Sequence, residues 1–335
     1  MKNTIPFLIL LVWMFSCKGS DESTAEETTS VGSIERIDPA IDNLIDPSAT
    51  IEVLSDGYEW SEGPVWVESE NMLLFSDVPT NTVYKWTEED SIEIFLKPSG
   101  YTGETASGSR EEGSNGLALN PDGKLVLCQH GDRRLAALEA PLDAPESTFS
   151  TLAGAYDGKK FNSPNDVAIR RNGDYFFTDP PYGLPRNATQ ETPFQGVYKL
   201  SNGAVTLLVD SLTRPNGIAF MPGEKALVIA NSDREKAMWY AYDLSDDDQL
   251  INGRIFHDAT EAGRSESGLP DGLKIDRDGN VFATGPGGVW IFNKDAKLLG
   301  KIKLPVATAN CAFSADEKTL YMTADNYLLR MKMRE

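Results

Sequence analysis

Five short segments of this chain place a side-chain oxygen in the same local setting: Glu62-Gly63-Pro64-Val65-Trp66, Asn115-Gly116-Leu117-Ala118-Leu119, Asn165-Asp166-Val167-Ala168-Ile169, Asn216-Gly217-Ile218-Ala219-Phe220 and Asp271-Gly272-Leu273-Lys274-Ile275. Each has an oxygen donor, then a small or polar residue, then a short β-prone run. A sixth copy, Ala309-Asn310-Cys311-Ala312-Phe313, carries Ala309 at the key position. Two carboxylates and three carboxamides, without sulfur or imidazole, form a hard-oxygen set that suits Ca²⁺ and, less strictly, Mg²⁺ or Mn²⁺. Crowded together, the two carboxylates would repel unless a cation neutralised them or one took up a proton. The asparagines add ligating oxygens without further charge.

Asn-Gly and Asp-Gly are also common turn dipeptides, and any one of them alone reads more readily as a turn. Equivalence of position argues otherwise. Asp122-Gly123, Asn172-Gly173 and Asp278-Gly279 already supply the turns, each followed by a second β-prone run: Leu125 to Leu127, Tyr175 to Phe177 and Val281 to Ala283. That is hairpin chemistry. The key positions 62, 115, 165, 216, 271 and 309 are spaced by 53, 50, 51, 55 and 38 residues. An all-strand repeat of that size predicts the four-stranded blades of a propeller. Helical periodicity is absent, and apolar runs are short and bounded by Gly, Pro, Asn and Asp. The expected fold is therefore an all-β, six-bladed β-propeller. Its sixth blade has only three strands before the C-terminus, so the N-terminal strand Ile51 to Leu54 is expected to complete that blade and close the ring, removing an exposed edge.

In such a fold the first strand of each blade lines the central channel. The key residues are expected at the start of that strand, around one channel mouth. The second strand runs back to the same mouth and should deliver His130, Asp179, Asn231 and Thr284 near the ring. Two long segments, one from Tyr101 to Ser114 and one beginning at Asp179-Pro180-Pro181-Tyr182-Gly183, are candidate rim loops, where specificity tends to reside.

Composition narrows the partners. The formal net charge of −20 argues against nucleic acid, which needs clustered Lys and Arg. Only two histidines occur, His130 and His257, which excludes a His-rich zinc centre. Lys2 followed by the apolar run Ile5 to Phe15 reads as a targeting segment too short for a permanent anchor. It ends at Ser16-Cys17, so residues 1–16 are expected to be a lipoprotein signal peptide, with Cys17 lipidated and the protein held at a bacterial cell envelope by that lipid alone. Residues 17–48, rich in Ser, Thr, Glu and Asp, are expected to be a disordered tether, and residues 49–335 the propeller. Cys128 and Cys311 are expected to be buried and unpaired, and the protein to be a monomer.

Ser61-Glu62-Gly63-Pro64-Val65-Trp66, Ser163-Pro164-Asn165-Asp166-Val167, Thr178-Asp179-Pro180-Pro181-Tyr182-Gly183, Arg214-Pro215-Asn216-Gly217 and Pro270-Asp271-Gly272-Leu273 together resemble the regucalcin/gluconolactonase family. The resemblance runs from about residue 50 to the C-terminus, with the motifs in the family's order. It implies a six-bladed propeller with one divalent cation in the channel, Ca²⁺ first and Mg²⁺, Mn²⁺ or Zn²⁺ as alternatives, and hydrolysis of sugar lactones. By position, Glu62, Asn216 and Asp271 match the core metal ligands. Asn165 matches a residue that contacts substrate or completes the metal shell, and Asp271 also matches the proton acceptor. Animal members carry an arginine where this chain has Ser163, so substrate contacts should differ. Asn115 and His130 lie in a stretch more similar to the bacterial branch and are taken as substrate-binding.

The chemistry expected of this set is polarisation of a lactone carbonyl by the cation and attack by water, with Asp271 as general base. Asn165 and Asn115 would orient the substrate, and His130 would bind a sugar hydroxyl or carry a proton. A Ser-His-Asp mechanism is disfavoured, since no Gly-x-Ser-x-Gly elbow occurs. The rivals are a phosphotriesterase-like hydrolase on the same cation and a non-catalytic calcium- or sugar-binding propeller. A protein-binding scaffold would instead carry apolar or aromatic residues at the key positions.

Overall fold

A computed structural model describes residues 30–334. Six antiparallel sheets are arranged as a β-propeller. Their innermost strands are Ser61–Val67, Ser114–Leu119, Val167–Ile169, Pro215–Phe220, Leu273–Ile275 and Asn310–Phe313 for blades one to six. Each continues outward through hairpins, in blade one through Met72–Asp77, Thr82–Thr87 and Ser91–Leu96. The turn dipeptides sit between the first and second strands, as the hairpin pattern predicts.

A blade cannot bury both faces alone, so the apolar alternation along its strands forms the core against its neighbours. Phe176 and Val197 of blade three pack with Ile218, Leu227 and Ile229 of blade four. Val126 and Cys128 of blade two pack with Phe177 and Tyr198 of blade three. Cys128 and Cys311 are both buried and unpaired, as small hydrophobes.

The ring closes as expected. Ile51–Asp56 pairs antiparallel with Tyr327–Lys332, placing Val53 opposite Leu329 and Glu52 opposite Arg330. The Arg330 Nε donates to Glu52 at 2.8 Å.

The expectation of a disordered tether is corrected for the described part of that segment. Residues 1–29, with the expected signal segment, Cys17 and the first part of the tether, lie outside the described residues, but residues 30–48 pack on the propeller. Ser33–Arg36 adds a fifth strand to blade five, with Ser33 opposite Lys303 and Arg36 opposite Gly300. Pro39–Asn43 then forms a 3₁₀ turn that Asp38 caps by accepting from the Ala40 N–H. Ile41 and Ile45 are fully buried against Leu299, Ile302 and Met331. The polar average of the segment hid the spaced apolar residues Val31, Ile34, Ile41, Leu44 and Ile45, all of which pack on this core.

Candidate active site in the propeller channel

All five oxygen-bearing key residues line one cavity of about 290 Å³ at the channel mouth. Glu62, Asn115 and Asn216 lie within their innermost strands, at points where the pairing register with the second strand breaks: Glu62/Val65, Ser114/Leu117 and Pro215/Ile218. These bulges free the side chain from the sheet alternation and aim it inward. Asn165 and Asp271 sit two residues before their strands, the placement expected from the sequence for all five.

The ring is stitched blade to blade through its backbone. Gly116 N–H donates to the Asn165 carbonyl at 2.7 Å, and Gly272 N–H to the Ala309 carbonyl at 2.7 Å. A Cβ on Gly116 would stand 2.7 Å from that carbonyl oxygen, and one on Gly217 would stand 2.3 Å from the Asp271 carbonyl oxygen. The glycine after the ring residue is there for close approach of the next blade. Hydroxyls from the second strands complete the lacing. Ser76 donates to the Asn115 carbonyl at 2.9 Å, Thr178 to that of Asn216 at 2.7 Å, Ser232 to that of Pro270 at 2.5 Å and Thr284 to that of Ala309 at 2.9 Å.

The side chains so held are short of partners. Glu62, Asn115, Asn165 and Asn216 are at most 4% exposed. The Oδ1 atoms of Asn115, Asn165 and Asp271 are buried and accept no hydrogen bond. Burial pushes the Glu62 carboxyl up to about 7. Asp271 is held well above the usual carboxylate range by burial and then by the Glu62 charge, against a hydrogen bond from Asn216. Buried acceptors are rarely left unpaired, and these three, on two amides and one acid, together with the Glu62 carboxyl fit a cation. Glu62, Asn165, Asn216 and Asp271 are the residues that would hold it, with Asn115 beside them. Among the described residues no three His, Cys, Asp or Glu side chains gather as ligands; the donor set here is half carboxamide, suited to an oxygen-seeking ion.

The expectation for His130 is corrected. It is completely buried and does not line the cavity, so it cannot bind a sugar hydroxyl. It stands behind Glu111, with Nδ1 3.6 Å from the Glu111 carboxylate. The other second-strand residues are structural too. Asp179 accepts from the Asn162 N–H at 2.8 Å, and Asn231 accepts from the Arg214 N–H at 2.8 Å while donating to the Lys236 carbonyl.

Sequence reasoning missed Glu111, Tyr182, Arg234 and Trp60, which complete the cavity wall. Glu111 and Tyr182 belong to the two segments expected to be rim loops, so the loops were legible while the individual residues were not. Burial pushes the Glu111 carboxyl up to about 7. Trp60 precedes the first motif by one residue, and its indole N–H points to Glu62 at 3.4 Å.

Fold and site together define a six-bladed propeller with an oxygen-donor ring buried in its channel. The chain belongs to the SMP-30/gluconolactonase/LRE-like family, whose model matches residues 60–326. It is 37% identical to a gluconolactonase of Zymomonas mobilis over 91% of this chain and 87% of that protein. The solved structure of a gluconolactonase from Xanthomonas campestris superposes with a TM-score of 0.79 at 28% identity, covering 92% of this chain and 99% of its own. A structure described as a calcium-binding protein, regucalcin, from Agrobacterium tumefaciens shares the fold with a TM-score of 0.65 at 17% identity, over 83% of this chain and 92% of its own.

Proposed function

We propose that this protein is a divalent-cation-dependent hydrolase that opens sugar lactones, with Ca²⁺ as the cation. The observation that carries the reading is the ring of buried oxygens without partners at Asn115, Asn165 and Asp271 beside Glu62. The similarity to gluconolactonases supports lactone as the substrate class. A cation bound there supplies a fixed positive charge against which a carbonyl oxygen is polarised. The chain's own residues do the rest. Asp271 accepts the proton of the attacking water, and the Asn115 and Asn165 amides orient the lactone. The cavity wall of Trp60, Leu269 and Ala307 limits competing water. The test is hydrolysis of a panel of aldonolactones and phosphotriesters, before and after chelation and with Ca²⁺ restored. Calcium-dependent lactone opening is expected, with phosphotriesters slower; activity that survives exhaustive chelation rejects the cation.

The lipoprotein reading of Cys17 places the enzyme at a bacterial cell envelope, anchored by lipid. Intact-mass measurement on the native protein checks it: a mature chain that does not begin with a diacylated Cys17 removes the idea.

A further inference from the structure

The third carboxyl group of the cavity has no role in the reading above. Glu111 stands on the segment between Tyr101 and Ser114, and that segment is clamped rather than free. The His130 N–H donates to the Gly113 carbonyl at 3.1 Å, and the Gln129 side chain to the Ser99 carbonyl at 2.8 Å. Asp132 accepts from the Thr102 N–H at 3.1 Å and its hydroxyl at 2.7 Å. The strand end from Gln129 to Asp132 thus fixes the loop that carries Glu111. About a third of the Glu111 side chain is accessible, and Glu111 lines the same cavity as Asp271. Behind it His130 is wholly buried, and neither ring nitrogen has a partner at good hydrogen-bond geometry, with the Glu111 carboxylate and backbone as its polar neighbours. A buried imidazole left unpaired beside an acid is a costly arrangement, and it asks for a reason.

We propose that Glu111 is a second catalytic carboxyl group, the acid that protonates the departing ring oxygen of the lactone, and that His130 is its positioning residue. The proposal rests on the lactone-hydrolase reading. The water oxygen bonds to the carbonyl carbon and its proton passes to Asp271. The bond from that carbon to the ring oxygen breaks, and the ring oxygen takes the proton of Glu111. Asp271 then gives up its proton to solvent and Glu111 regains one, so the net reaction is lactone plus water to hydroxy acid.

His130 suits this part because burial pushes it down to about 3. It stays neutral, so the imidazole packed 3.6 Å from one carboxyl oxygen backs the acid without a positive charge that would strip its proton. Burial raises Glu111 to about 7, so a share of the molecules still carries its proton near neutral pH. Glu62, Asp271, Tyr182 and Arg234 line the cavity with it, and the charge Glu111 acquires on ionisation raises Glu62, Asp271 and Tyr182. Glu112 is turned away and tied to the Ser107 hydroxyl.

The experiment compares two lactones with different leaving groups at saturating calcium: D-glucono-lactone, which expels an alkoxide that needs a proton, and dihydrocoumarin, which expels a stable phenolate. Glu111→Gln should lower kcat on the aldonolactone about 100-fold and on the aryl lactone by less than about 5-fold. His130→Phe should follow Glu111→Gln in the same lopsided way, and His130→Asn, which keeps an N–H near Nδ1, should recover most of the loss. Calcium affinity and melting are read in the same samples. A Glu111→Gln that fails to fold is replaced by Glu111→Asp, which must show the same split between lactones. Equal losses on both substrates, or unchanged aldonolactone turnover, overturn the proposal. Failure of the wild type to open either lactone overturns the reading beneath it instead.

Discussion

Two sets of near-identical dipeptides have opposite fates in this molecule. Asp122-Gly123, Asn172-Gly173 and Asp278-Gly279 turn the hairpins, whereas Asn115-Gly116, Asn216-Gly217 and Asp271-Gly272 ring the channel mouth. In the turns, Gly123 and Gly173 hold φ of +78° and +89°, and a Cβ on either would meet nothing within 4 Å. Neighbouring Asx oxygens there are saturated: the Asn120 Oδ1 accepts from Asp122 and Lys124 N–H, and the Asp276 Oδ1 from Asp278 and Asn280 N–H. In the ring, Gly116 and Gly217 stay outside the left-handed region and are hemmed in by the next blade's carbonyls. The Oδ1 atoms of Asn115 and Asp271 are buried and unpaired. Conformation demands glycine in one set and close approach demands it in the other. Backbone amides use up the oxygens of the turns, while those of the ring are left for a ligand.

The largest expected difference between the sets is catalytic. Asp271→Asn removes the base and one charge from the cavity and should lower kcat for lactone hydrolysis about 1,000-fold. Asp278→Asn, the same change in a turn, should leave turnover within about 2-fold of wild type. Steady-state kinetics at saturating Ca²⁺ decides; an active Asp271→Asn breaks the proposed mechanism.

Next is the glycine pair. Gly217→Ala forces a methyl group against the Asp271 carbonyl and should destabilise the fold by about 3 kcal/mol, with calcium affinity falling as the ring spreads. Gly173→Ala meets no atom and pays only for its positive φ, about 1–2 kcal/mol, with affinity unchanged. Denaturant melts and calcium titration of both variants test this; equal calcium affinities would remove the close-approach argument.

The two sets differ in the sequence by position within the repeat. The repeat spacing near 50 residues, the turn chemistry and the five oxygens at one alignment position follow from composition and period, so the propeller, its closure by Ile51–Asp56 and the ring are legible. Glu111 and Tyr182 are not, because loops have no period: their side chains reach the cavity only through contacts far apart in sequence, such as His130 with Gly113. His130 departs from its expected place for a related reason. Its position at a strand end is correct, but the loop bearing Glu111 covers it. Residues 31–45 failed differently. Their apolar positions are few and irregular, and they fold only because blades five and six present a seam for Ile41 and Ile45.

A smaller effect separates the sets by pH. The turn acids are exposed, whereas the ring acids are raised by burial. Glu62 binds a proton more tightly folded, at about 7, than unfolded, at about 4.5. Between these values the native state holds a proton that the unfolded chain has released, so this contribution is full below pH 4.5 and is lost as pH rises through 7. Asp271 acts in the same direction. The chelated protein should therefore melt lower at pH 8 than at pH 5.5, and saturating Ca²⁺, which favours the ionised acids, should reverse the order. Calorimetry across that range with and without chelator checks both halves. A chelated protein that gains stability toward pH 8 contradicts the buried-acid account.

The finest distinction lies within one blade, between two asparagines five residues apart. Asn120 accepts two backbone N–H groups, so Asn120→Ala removes real hydrogen bonds and should cost about 1 kcal/mol, a fall of about 2 °C in Tm. It lies in a hairpin turn away from the cavity, and calcium affinity should not change. Asn115 is the reverse. Its Oδ1 is buried without a partner, so in the metal-free protein that oxygen is a burden. Asn115→Ala removes it, and the small void left behind offsets part of the gain; the chelated Tm should move less than in Asn120→Ala. In the presence of calcium the ranking inverts. Loss of one oxygen from the cavity should weaken binding about 10-fold, equivalent to about 1.4 kcal/mol, and the stabilisation conferred by Ca²⁺ should shrink by a similar amount. Paired melts of the two variants, chelated and calcium-loaded, form a crossed design in which a general loss of stability cannot imitate the expected pattern. If Asn115→Ala lowers the chelated Tm more than Asn120→Ala and leaves calcium affinity intact, the Asn115 oxygen serves the fold and the ring loses a member.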